Sequence, residues 1–325
     1  CNIPVNIAML CFIWAEEESK IALQKISSMS DLYGQVVDHL GFRYYTKQQP
    51  ESAQNRRELR SLWQGGKIQL DELQVLQHVA YRGLIGDGLD APDGRRPETL
   101  IIKGMIARDD KDGTSVQSSI NRLRDQCANK NLTINGVYRY GLLKTEGLNI
   151  AEGESPVPLQ RGVRSRKDLS DINLQAQNFS FIHLSFQEYL TAQHLVEQLI
   201  NGKEDQKTII ADFIAYHRNE PRYGLILKFM AGIFRATSGK DENLIRAIKI
   251  FWDSIVCNPN GALEFGIDAK VNILMHLLSQ AKDEQGKIDE RIPNQELMVK
   301  FVDYHMLGGL IWRVNELKES DYMSP

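Results

Sequence analysis

The chain has no apolar run long enough to cross a bilayer, which takes about 20 consecutive residues. Its opening apolar stretch, Ile3 to Trp14, stops well short of that. No basic segment precedes this stretch and no small-residue cleavage site follows, so a signal peptide fits poorly. Cysteine is sparse and dispersed: Cys1, Cys11, Cys127 and Cys257 form no CxxC pair. That spacing argues against a disulfide framework or a zinc site and favours a reducing compartment, so the expected location is the cytoplasm. An excess of one charge is lacking too. With 39 basic and 42 acidic residues the net charge is -3, which argues against nucleic acid or an anionic membrane as the main partner.

A phosphate-binding loop is also missing. GxxxxGK[ST] is needed so that backbone N–H groups cradle phosphates while the lysine reaches the terminal ones. The nearest string, Gly65-Gly66-Lys67, has Ser61 in place of the first glycine and Ile68 in place of the hydroxyl residue. Asp109 to Gly113 suggests a calcium loop, but its register puts Arg108 at the first ligand and Ser119 at the bidentate carboxylate. The basic loop Arg161, Arg164, Arg166 and Lys167 reads as solvated surface. No catalytic residue and no metal site is therefore expected, and this chain alone should not hydrolyse ATP.

What is present is an ordinary globular composition, 42% hydrophobic and 25% charged, with length for about two domains. The first residue is Cys1, and the expectation is a chain cut from something longer, opening inside a buried helix. Three regions follow: Cys1 to about Gln54, then to about Asn178, then Phe179 to the end. In the first, Ser30-Asp31 caps a helix whose apolar positions are Leu32, Tyr33, Val36, Val37 and Leu40. The second mixes a helix around Leu70 to Leu84, with Leu70, Leu73, Leu76, Val79 and Ala80 on one side, with strand-like runs at Leu100 to Ile102 and Tyr138 to Leu143. From Phe179 on the chain reads as helical nearly throughout. Apolar residues recur at three-to-four spacing, as in Ile210, Phe213, Ile214, then Ile226, Phe229, Met230, then Ile248, Phe251, Trp252, Ile255. Pro221, Pro259 and Pro293 fall between segments, where proline costs least. The expected fold is mainly α: short helices and a few short strands, then stacked antiparallel helices in a superhelical array.

The most informative stretch is Phe179 to Leu195, FSFIHLSFQEYLTAQHL. Phe179 to His183 alternates like a strand, which puts Phe179, Phe181 and His183 on one face. Ser185-Phe-Gln-Glu188 is a capping-box sequence, so a helix is expected from about Phe186. His183 then sits at a strand end just before a helix N-terminus, where unpaired N–H groups and the dipole favour an anion. On these residues alone, a structural histidine is the simpler reading. His276 and His305 lie within apolar stripes and read as core or groove residues.

This stretch resembles the end of the winged-helix domain in NACHT-type signalling NTPases, including the NOD-like receptors, where the pattern runs F-x-F-x-H-x-x-F-Q-E-[YF]. The opening CNIPVNIAMLC is similar to the start of that family's first helical domain. Tyr138 to Lys144 (YRYGLLK) is similar to its GLL strand, and Arg222 to Gly232 (RYGLILKFMAG) to a helix of its second helical domain. The resemblance implies a first-helical-domain end over 1–54, a winged helix with insertions over 55–200 and a HEAT-like array over 201–325. It implies that His183 contacts the terminal phosphate of ADP and holds a closed state, and that Pro4 packs by the adenine. ADP or ATP with Mg would be bound by the full-length parent, with none expected for this chain alone. The partners implied are the missing nucleotide-binding domain and protein partners or further copies meeting helical surfaces. A non-catalytic helical scaffold, or an effector-like protein-binding module, is the alternative.

Overall fold

Ser28 starts the first helix of the described residues. Its Oγ accepts the Asp31 N–H at 3.2 Å, and Asp31 Oδ2 accepts the Ser28 N–H at 2.9 Å, a reciprocal capping box. The cap of this helix, α1 (Met29–Gln48), is thus two residues before the expected cap at Ser30. Ser30 is instead turned inward and donates to the Phe229 carbonyl at 3.1 Å. Leu32, Tyr33, Val36 and Val37 are buried as the periodicity requires, while Leu40 is half-buried.

The computed structural model describes residues 26–48, 59–60, 62–63, 70–85, 137, 139–146, 178–239, 241–256, 267–283 and 285–306. The sequence readings on Ile3 to Trp14 (Pro4 included), Gly65 to Lys67, Leu100 to Ile102, Asp109 to Gly113, Arg161 to Lys167 and Pro259 lie outside them. The described residues are mainly helical, and none of their helices is long and apolar enough to cross a membrane. The chain divides into two compact units, one of Val37–Thr191, the other of the residues up to Val36 with those from Ala192 onward.

In the Val37–Thr191 unit, α2 (Asp71–Ile85) opens with Asp71 and Glu72 on the favourable end of its dipole. Its buried face is Val75, Leu76, Val79, Ala80, Leu84 and Ile85, whereas Leu70 and Leu73 are half-exposed. The expected stripe is rotated toward the β-branched Val75. Strands β1 (Leu143–Glu146) and β2 (Asn178–Phe181) pair antiparallel, Leu143 opposite Phe181 and Glu146 opposite Asn178. Of the strand expected over Tyr138 to Leu143, Tyr138 lies outside the described residues and only Leu143 belongs to β1. Residues 140–142 form a turn, because Gly141 takes φ +95°, a conformation that side-chain-bearing residues rarely adopt. Helix α3 (Leu184–Asn201) follows β2 directly.

The other unit contains the last residues of α3, then α4 (Glu204–His217), a 3-10 turn (Pro221–Tyr223), α5 (Gly224–Ala236), α6 (Glu242–Val256), α7 (Ile267–Gln280) and α8 over residues 295–306. Pro221 stands at the first position of its turn, where its missing N–H costs nothing. Helix α5 packs against α7, and α6 against α4. The core is Ile226, Phe229, Met230 and Phe234 of α5 with Ile248, Phe251, Trp252 and Ile255 of α6, all at most 3% exposed. Phe234 meets Phe251 at 5.4 Å between ring centroids. Trp252 is a core residue, as its place in the stripe requires. His276 faces solvent on α7, not the stripe it was assigned to, because Val271, Leu274, Leu277 and Leu278 already fill the buried side. His305 is half-buried, its ring 4.5 Å from that of Phe301.

Arg291 closes the carboxyl end of α5. Its Nη atoms donate to the carbonyls of Phe234 at 2.9 Å, Thr237 at 2.8 Å, Gly239 at 3.3 Å and Arg235 at 3.4 Å. Those are orphan acceptors of a helix end, and a cation there also suits the dipole. Asp289 holds the guanidinium through Nε at 2.9 Å and Nη2 at 2.7 Å.

Candidate functional site: the strand-to-helix corner at His183

The corner is anchored from both sides. Before it, Phe181 is buried and pairs with Leu143, and the Ile182 N–H donates to the Leu142 carbonyl at 3.0 Å, carrying the ladder one residue past β2. After it, Phe186, Tyr189 and Leu190 bury the first turns of α3. Between these anchors Ile182, His183 and Leu184 are exposed in succession. The strand ends at Phe181, so His183 does not share a strand face with Phe181 as the alternation suggested. Its position is set by the helix instead.

His183 is the residue that caps α3. The Ser185 N–H donates to its Nδ1 at 3.2 Å, and the Ser185 hydroxyl lies 2.5 Å from the same nitrogen. An acceptor on the residue before the helix, bonded to an N–H of the first turn, is the geometry of an N-cap side chain. The expected cap, Ser185, is buried and inside the helix, one residue past its start. The capping-box sequence at Ser185 and Glu188 is thus used differently: the N–H that Glu188 was expected to take goes to His183. Glu188 is left half-buried on the first turns, and burial pushes its carboxyl up to about 7.

The cap has a chemical consequence. A ring nitrogen that accepts a backbone N–H holds a lone pair, so the neutral imidazole carries its proton on Nε2. Among the described residues Nε2 has no hydrogen-bond partner. With Nδ1 accepting, the corner presents one N–H donor, Nε2, on an exposed ring beside the N-terminus of an 18-residue helix. Among the described residues no group of three His, Cys, Asp or Glu is placed to hold a metal ion.

The unit that holds this corner contains buried polar contacts that no motif marked. Gln187, 1% exposed, reaches the Ala80 carbonyl of α2 at 3.5 Å, over Gly83, where an added Cβ would stand 2.6 Å from the amide nitrogen. Tyr140 sends its hydroxyl to the Val37 carbonyl at 3.0 Å, and burial raises its pKa well above the usual phenol value, with Asp38, Tyr189 and Glu72 adding to the rise. Tyr44 donates to the buried Glu72 at 2.8 Å. Trp63 Nε1 donates to Asp38, whose carboxyl burial pushes up even so. The one local signal available was Gly83: a glycine inside a helical pattern marks a close approach.

Comparison with protein-family models, with curated proteins and with solved structures finds no match to this chain.

Proposed function

We propose that this chain is the regulatory part of a NACHT-type, nucleotide-switched signalling ATPase, in which His183 donates from Nε2 to the terminal phosphate of ADP and favours the closed, resting state. The observation that carries the reading is the corner itself. His183 is exposed, is held through Nδ1 by capping α3, and stands where strand passes into helix. A donor locked in orientation loses little freedom when an anion arrives, and the positive end of the α3 dipole adds to the attraction. In this reading Pro4 packs by the adenine, and β1, β2 and the start of α3 belong to a winged helix. The helices from α4 on form the HEAT-like array that holds the module closed or meets further copies. Nucleotide and Mg are held mainly by a phosphate-binding loop on the missing nucleotide-binding domain, and the chain by itself is not an enzyme.

Titrating ADP by calorimetry into the longer protein that carries such a loop, with and without His183→Asn, tests the reading. Weaker binding by the variant, with the fold unchanged, supports it. Equal binding removes His183 from the site.

A second reading is a helical scaffold that only binds other proteins. Leu297 and Tyr304 of α8 favour it, being 65% and 75% exposed although apolar and aromatic. Nucleotide-independent binding of a protein partner, lost on Leu297→Lys, separates it from the first.

A further inference from the structure

We draw no further inference here: the strongest candidate, the apolar stripe of Leu297, Phe301 and Tyr304 on α8, carries nothing because nothing in the structure shows what covers it, its flanking Glu296, Lys300 and Asp303 offering mixed charges that select neither a second copy nor a partner of one chemistry.

Discussion

Gly232 of α5 lies directly against Ser30 of α1. A Cβ built on Gly232 would stand 2.3 Å from Ser30 Oγ and 2.5 Å from its Cβ, closer than such atoms approach. The contact lets Ser30 reach the Phe229 carbonyl and brings Tyr33 and Phe229 to 5.0 Å between rings. Beside it Arg235, one turn further along α5, pairs with Asp31 of the capping box, both side chains nearly buried. Glycine is thus required here for space, not for backbone conformation.

Gly232→Ala should therefore destabilise the unit containing α5 by about 1–3 kcal/mol, the usual cost of forcing atoms into a packed crossing. Ser30 Cβ is part of the clash, so turning the hydroxyl aside does not relieve it. Urea unfolding followed by tryptophan fluorescence measures the loss. Combining it with Ser30→Gly should recover part of it, and the absence of any recovery would contradict the contact.

Arg291 makes a second prediction. Arg291→Ala removes the cap of α5 and leaves Asp289, whose side chain is 10% exposed, without its partner. The expected cost is about 2–4 kcal/mol, from lost charge-assisted bonds and an uncompensated carboxylate. Arg291→Lys should restore less than half of that, since one ammonium cannot span four carbonyls and a carboxylate. Thermal unfolding of the two variants gives the comparison.

Glu188 predicts a pH dependence. Its folded-state value of about 7 lies above the ordinary 4.5, so the native state binds the proton more tightly than the unfolded chain does. Stability from this group is complete below about 4.5 and falls as pH rises toward 7, then levels off. Glu188→Gln should flatten the decline and be the more stable protein at pH 8. Screening at this half-buried position limits the gain to about 1–2 kcal/mol. Chemical denaturation at pH 4.5 and pH 8 reads it directly, and a variant as pH-dependent as the native chain would contradict the assignment.

Helical periodicity was the legible part of the fold. The stripes over Leu32 to Val37, Ile226 to Phe234 and Ile248 to Ile255 are buried because an apolar face every three to four residues leaves a helix one way to leave water. Local competition was less legible. Ser28, Ser30 and Asp31 all have cap chemistry, and only the approach of α5 decides that Ser30 turns inward and Ser28 caps. At the candidate site the sequence marked His183 but gave it the wrong neighbour. Histidine is not a usual N-cap, so Ser185 looked the better choice until the buried start of α3 placed its N–H against the ring. The long-range contacts of Gln187 with α2 and of Tyr140 with α1 join residues about a hundred positions apart, which no spacing rule reaches.

The chain alone should show no ATP turnover above a heat-killed control, and ADP affinity no better than about millimolar, since a single imidazole leaves most phosphate contacts unmade. Micromolar ADP binding in calorimetry would show that this chain holds a more complete nucleotide site than the single donor at His183.

In the proposed switch the Nε2 of His183 meets the terminal phosphate of ADP, and substitutions can separate this from its capping role. An asparagine side chain is a good N-cap and keeps an acceptor for the Ser185 N–H, but it lacks the imidazole N–H. Alanine lacks both and should cost about 1 kcal/mol of stability as well. A hydrogen bond to a charged group contributes roughly 1.5–3 kcal/mol, so its loss shifts a closed-to-open ratio by about 10- to 150-fold. The decisive measurement is the release rate of fluorescent ADP from the longer, loop-bearing protein, for the native sequence, His183→Asn and, as a control on exposed α7, His276→Leu. Release is expected to be at least about tenfold faster for His183→Asn at an unchanged melting temperature, with His276→Leu like the native protein. Equal release from all three proteins would contradict it and leave His183 as the cap of α3 alone.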